Sequence, residues 1–180
     1  MSLASLPAIW WVRRDFRLCD NPALHAAVED GGRVLPLFIV DPVLQRSPGV
    51  GRGPWLRAAL TALDSELRRG GGPGLTVVGG RPSEVIPRIV QQSGAQRVHI
   101  SADFAPYGRR RDAAVQRALA RAGKELKATG SPYAIAPRHS EQRGRPAVPS
   151  LFPIPPRLAC SGLAAPRTRR CGRFRGVDRG

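Results

Sequence analysis

Sulfur is nearly missing from this chain: its 180 residues include three cysteines and one methionine. Cys19, Cys160 and Cys171 are odd in number, far apart and without a CxxC pair. That argues against a disulfide framework and a zinc site, and it suits a reducing cytosol. Acidic side chains are scarce too, 13 Asp+Glu against 29 Lys+Arg, for a formal net charge of +16. No apolar run approaches the roughly 20 residues of a membrane span. The N-terminal apolar stretch Ala8–Val12 is short and is followed, not preceded, by basic residues, the reverse of a secretory signal. The expectation is a cytoplasmic, monomeric protein with no membrane partner. His25, His99 and His139 share no carboxylate or cysteine at ligand spacing, so no metal site is expected. His99 reads as a core or surface residue of a strand. No GxGxxG follows the first strand and no Walker loop occurs, so the usual dinucleotide and P-loop fingerprints are missing.

What is there is alternation. "AIWWV" (Ala8 to Val12) is a fully apolar run, as expected of a strand covered on both faces. Asp20 or Asn21 can cap a helix that opens on Pro22. "RVLPLFIV" (Arg33 to Val40) reads as a second strand, in which Pro36 suggests an early or irregular position. Leu56, Ala59, Leu60, Leu63 and Leu67 make one helical face, stopped by "GGGPG". "LTVV" (Leu75 to Val78) is a third strand. Pro82 and Ser83 open a helix with Val85, Ile86, Ile89 and Val90 inward, and Gly94 ends it. "RVHIS" (Arg97 to Ser101) is a fourth strand. A helix from about Pro106 carries Val115, Ala118, Leu119 and Ala122 on one face and closes at Gly123, before a fifth strand at "ELKAT" (Glu125 to Thr129). Strands alternating with helices of this length imply βαβ units. The body, residues 1–137, is expected to be a Rossmann-like, doubly wound α/β domain: a parallel five-stranded sheet with helices on both faces.

Past Pro137 the pattern stops. Residues 138–180 hold 10 Arg, 6 Pro, 5 Gly and 4 Ala, with no Lys. Each part carries a net charge of +8, although the second is under a third of the length. Six prolines prevent a long helix, so this stretch reads as a disordered basic tail. Alternatively it is an out-of-frame translation of a G+C-rich gene, the reading preferred here, since G+C-rich codons give these residues in any frame.

In an open parallel sheet ligands bind beyond the carboxyl ends of the strands, where strand order reverses. Those ends are Arg13-Arg14-Asp15, Asp41-Pro42, Gly79-Gly80-Arg81 and Ala102-Asp103, so every strand delivers charge or glycine to one rim. "GVGRG" (Gly49 to Gly53) leads into a helix through Pro54 and is either a phosphate loop or a flexible one.

"WWVRRDFRLCDNPAL", "LFIVDP", "GRPSEVIPRI" and "ISADFAPYGRRRDAAV" resemble, in order and spacing, the N-terminal α/β domain of the DNA photolyase and cryptochrome family. The resemblance covers residues 8–137. It implies a domain that docks an antenna pigment, followed in full-length members by a larger helical domain that holds FAD, binds damaged DNA and splits pyrimidine dimers by light-driven electron transfer. Family members continue with a Gly-Thr-Val stretch, a Phe-Thr-Pro-Phe element and a Trp-bearing helix. Arg138 onward matches none of these, though "FPIPPRL" sits about where the Phe-rich element falls, which supports a frame slip near Pro137. On this reading the chain is a truncated photolyase. No catalytic residue can be assigned in it, and it is not expected to repair dimers alone. A cryptochrome-like photosensory module and a stand-alone α/β protein that uses its basic tail on nucleic acid are the alternatives.

The resemblance also nominates residues. Asp103 matches the aspartate that hydrogen-bonds the antenna in deazaflavin-using members, although a helix cap explains it too. Arg52 matches an arginine bordering the pigment, against a solvated loop charge. Gly108 matches a glycine that lets the ligand approach the backbone, against simple turn geometry. Phe38, Val40 and Asp41 match the pocket wall, and for Phe38 an ordinary core role serves as well. Folate-using members tend to carry Asn-Glu where this chain has Tyr107-Gly108, so the implied antenna is 8-hydroxy-5-deazaflavin in preference to methenyltetrahydrofolate. Arg13, Arg14, Asp15 and Arg17 read as architecture at the strand end or as a brace for the partner domain. The five arginines of "GRRRDAAVQRALAR" read as a solvated helix face, with phosphate contact as the alternative.

Overall fold

A computed structural model describes residues 7–46 and 51–132. The Arg/Pro-rich stretch 138–180, and Gly49 and Val50 of the glycine-rich loop, lie outside the described residues.

Five strands, β1 (Ala8–Val12), β2 (Val34–Val40), β3 (Thr76–Gly79), β4 (Arg97–Ile100) and β5 (Glu125–Ala128), form one sheet in the order β3-β2-β1-β4-β5. Every pairing is parallel. The helices are α1 (Pro22–Gly31), the short α2 (Pro42–Gln45), α3 (Arg52–Arg69), α4 (Pro82–Ser93) and α5 (Pro106–Ala120). None of them is long and apolar enough to cross a membrane.

Strand periodicity divides the core. Ile9, Trp11, Leu37, Ile39, Val98 and Ile100 face α4 and α5, packing on Val85, Ile86, Ile89, Val115 and Leu119. Trp10, Val12, Val34 and Phe38 face α1 and α3, packing on Ala23, Leu24, Ala27, Leu63 and Leu67. Consecutive residues of β1 thus serve opposite layers, which is why its run is apolar throughout. The doubly wound α/β architecture expected from the sequence is the observed one.

Local signals worked mostly as the chemistry predicts. Asn21 Oδ1 accepts from Leu24 N at 3.1 Å and caps α1, while Asp20 takes a left-handed φ of 53°. Gly94 closes α4 with a left-handed φ of 71°. Pro36 sits early in β2, which is flanked by β1 and β3, and its position is regular. Arg33 O accepts from Ala8 N on the β1 side, and Val40 O accepts from Gly80 N on the β3 side. Alternation therefore turns residue 36 toward β3, whose pairing starts one residue later at Leu37↔Thr76. The missing N–H faces a place where no ladder has begun. The short helix α2 was not foreseen; Asp41 caps it, accepting from Val43 N at 3.0 Å.

Candidate functional site

The chain builds β1, β2 and β3 outward on one side and then returns to place β4 and β5 on the other. The switch point therefore lies beyond the carboxyl ends of β1 and β4. A row of alternating charges fills it. Arg13, with a side chain only 9% exposed, donates from Nη1 to both Asp112 oxygens at 2.5 and 2.6 Å, and from Nη2 to the Ser101 carbonyl. Asp112 also accepts from Arg111 Nε at 3.1 Å, and Arg111 Nη2 reaches Asp103 Oδ2 at 3.3 Å. Arg14, exposed, ends the row 4.0 Å from Asp103. The Trp11 ring lies beneath both the Arg13 and Arg111 guanidinium groups, each 5.1 Å from its centroid. Burial pulls the Arg13 pKa down, and the Asp112 carboxylate opposes that pull.

Within the cluster after β1, Arg13 forms a buried pair with Asp112 of α5, and Asp15 pairs with Arg17 at 2.9 Å. Burial raises the Asp15 pKa against that pairing. Arg111 leaves the solvated helix face and turns inward, 8% exposed.

The six nominated residues all belong to the carboxyl half of the sheet, but the sheet separates them into two groups. Asp41, Asp103 and Gly108 meet on the α5 side. Asp41 accepts a hydrogen bond from the Tyr107 hydroxyl, and Asp103 Oδ1 accepts from Ala105 N at 3.0 Å. Burial, with the Asp41 bond second, pushes the Tyr107 hydroxyl up to about 12. Gly108 faces Asp103 so closely that a Cβ there would lie 2.2 Å from the carboxylate carbon. The space a side chain would need is taken by Asp103. The crevice between Val12–Asp15, Ser101–Asp103 and Pro132 holds about 10 Å³, room for a single water.

Phe38, Val40 and Arg52 fall on the other face. Phe38 packs 6.0 Å from Phe16, and Phe16 lies 6.1 Å from Trp55, edge to face. Trp55 is 63% exposed, and Arg52 opens the same helical turn, exposed. Sequence reasoning missed Trp55, Tyr107, Arg111 and Asp112. Trp55 had a signal, a large aromatic just after the glycine loop and off the leucine face. Asp112 had one in being the sole acid in an arginine run. Among the described residues no group of His, Cys, Asp and Glu could hold a metal ion.

Comparison with known proteins follows the same outline. A family model described as DNA photolyase matches residues 8–153, continuing past Pro137. The deoxyribodipyrimidine photo-lyase of Streptomyces griseus is 40% identical over 114 residues, 62% of this chain and 25% of that protein. Cryptochrome-2 of Gallus gallus is 37% identical over 121 residues, 66% of this chain and 21% of that protein. The chain thus spans about a quarter of the length of these relatives. Among solved structures, a class III photolyase from Agrobacterium tumefaciens aligns with a TM-score of 0.65 and 33% identity, over 72% of this chain and 27% of that one. An archaeal photolyase from Sulfolobus tokodaii, described with two FAD molecules and a novel light-harvesting cofactor, aligns at 0.58 and 29% identity, over 69% and 29%. The parallel sheet, the charged rim and a family match over most of the chain agree: this chain belongs to the DNA photolyase family and corresponds to its N-terminal α/β domain.

Proposed function

We propose that the chain is the light-harvesting half of a deoxyribodipyrimidine photolyase, and that its antenna is a deazaflavin of the 8-hydroxy-5-deazaflavin type. The observation that carries this reading is the aromatic step at the carboxyl edge, Phe38–Phe16–Trp55, with Arg52 beside it. Exposed Trp55 offers a stacking face for a planar ring, and Arg52 a cation for its ionised oxygen. Phe38 and Val40 would back the ring.

The α5 side fits such a group less well. Both Asp103 oxygens are already engaged and its side chain is only 6% exposed. A three-ring pigment needs a pocket of about 300 Å³ or more, far beyond the crevice beside Asp103. Asp103, Asp41 and Gly108 therefore act as scaffold for the rim. When bound, the antenna supplies absorbed light energy to the flavin of the helical half.

The test is titration of the full chain with 8-hydroxy-5-deazaflavin, followed by pigment fluorescence, with methenyltetrahydrofolate and FAD as parallel arms. Expected is weak binding, with a dissociation constant above about 1 μM, or less than about 8 kcal/mol, because this domain supplies only one wall. Arg52→Ala and Trp55→Ala should abolish it. Tight binding insensitive to both changes, or preference for the folate, refutes the assignment. Light-driven dimer splitting by the chain alone would overturn its reading as the antenna half. A photosensory, cryptochrome-like role is the second reading, favoured by the near-equal identity to Cryptochrome-2. The two part on whether the protein joined to its flavin half splits dimers.

A further inference from the structure

The basic residues of the domain include a paired set and an unpaired one; Arg52, Arg57 and Arg69 of α3 belong to the second, and its densest group is on α5. Arg13, Arg14, Arg17, Arg68, Arg81, Arg97, Arg111 and Lys127 each sit within ion-pair distance of a carboxylate. On the outer face of α5, Arg109, Arg110, Arg117 and Arg121 are exposed and have no acidic partner among the described residues, and neither does Arg88 of α4. The one acid of α5, Asp112, points inward to Arg13. Between the far ends of α4 and α5 runs an open groove of about 750 Å³, whose polar lining is Arg88, Gln91, Gln96 and Lys124, with no carboxylate.

Local electrostatics does not explain this placement. The first turn of α5 has no acid, and Arg109 and Arg110 follow directly on it. Cations there oppose the helix dipole; Asp112, three residues after Arg109, is taken up by Arg13 and Arg111, and Arg110 has no Glu or Asp three or four residues away. A stretch that breaks a local rule without an internal compensation points to a partner. We propose that the outer face of α5, with the adjoining groove, binds the phosphate backbone of double-stranded DNA, independently of any lesion. This surface lies on the opposite side of the sheet from the proposed antenna contacts and does not depend on that reading.

Spacing and composition favour nucleic acid over an anionic membrane. Arg109 to Arg121 span about 18 Å along the helix, a length of duplex that presents about ten phosphate charges. Arginine matches phosphate through paired N–H groups. An interfacial helix needs an apolar face to insert. The apolar face of α5, with Val115 and Leu119, is buried on the sheet, and the exposed large apolar side chains lie on other elements.

The experiment uses the full chain, so the charge of residues 138–180 is common to every form. Binding to an undamaged duplex of about 24 base pairs is measured by fluorescence anisotropy across salt, each lost phosphate contact lowering the log–log slope by about 0.9. Arg117→Gln/Arg121→Gln should lower the slope by about 1.8 and weaken binding about 60-fold at 0.1 M salt, taking the curves to meet at 1 M. Arg110→Gln/Arg117→Gln should do the same, and thermal melts check that both fold. Arg57→Gln/Arg69→Gln, an equal charge change on α3, should shift the slope by less than about 0.5. Equal losses from the two faces, or none from α5, overturn the proposal. So does an α5 effect seen with phosphatidylserine vesicles and absent with DNA, or seen only with dimer-bearing duplex.

Discussion

Replacing Gly108 with alanine decides whether the space above that residue belongs to Asp103 or is open to a ligand. In a bare helix the change is favourable by about 1 kcal/mol. Here the new Cβ would lie 2.2 to 2.7 Å from the three carboxylate atoms of Asp103, where real Cβ contacts essentially never fall below 3.0 Å. A side-chain end can often move aside, but this one is held by Ala105 N at 3.0 Å and Arg111 Nη2 at 3.3 Å. Overpacking costs about 1 to 3 kcal/mol, and losing the charge-assisted bonds about 1.5 to 3. Net of the helix gain, Gly108→Ala should destabilise by about 1.5 to 5 kcal/mol. That is a fall in Tm of about 3 to 20 °C in a domain of this size. Thermal and urea unfolding of the full chain give the value. Adding Asp103→Ala should recover part of it, leaving a coupling energy of about 1 kcal/mol or more in the double-mutant cycle. A single variant as stable as the parent refutes the reasoning, because the space would then be free and Gly108 available to a pigment.

Tyr107 and Tyr133 are the only tyrosines, and with Tyr107 pushed up to about 12 one should ionise late in a spectrophotometric titration. Tyr107→Phe should remove that late phase, and its survival assigns the bond to Asp41 wrongly. His99 is fully buried, 2.9 Å from Asp30 Oδ2 but too poorly aligned to hydrogen-bond it. Burial lowers its pKa against the pull of Asp30, and Lys127 and Arg97 lower it further. The unfolded chain therefore binds more protons between the folded value and about 6.5, so stability should drop as pH falls through that window. Tm measured from about pH 7.5 to 5 should show this fall, flattened in His99→Gln; identical profiles would rule it out. Arg13→Met should raise amide exchange at His99 and Ile100 before it does so in β2, and a uniform rise across the sheet contradicts that.

How much of this was legible in the sequence depends on range. The five strands and four long helices follow from period and caps within windows of about 10 to 18 residues, and they appear where the apolar faces put them. Pro36 marked an early position, but why the strand tolerates it depends on which neighbour its N–H would face, and that is a property of the pairing. The rim was legible as a place and not as a circuit. Arg13 and Asp112 are 99 residues apart, and nothing in either segment says that they meet. Asp112 sits between an arginine run and an apolar face, and only the fold decides which it serves. Phe38 and Val40 share one parity of β2, so their common face was legible, whereas Asp41 follows the strand as the cap of α2 and its side is set by the bond from Tyr107.

That circuit also has a mechanical reading. β1 pairs with β2 over five residues but with β4 over only two, Ile9↔Val98 and Trp10↔His99. The seam at the switch point is the thinnest ladder of the inner sheet, and it stops short of the rim. Arg13, just past β1 and beyond the end of that ladder, binds both the Ser101 carbonyl beyond β4 and the Asp112 carboxylate on α5. The clamp continues the seam with side chains where the backbone strands diverge. A buried ion pair is poor evidence for net stability, and a hydrophobic replacement could hold the global free energy. It could not satisfy the Ser101 carbonyl or fix the spacing of the two strand ends. The charged rim of this sheet is therefore first a fastening between its two halves.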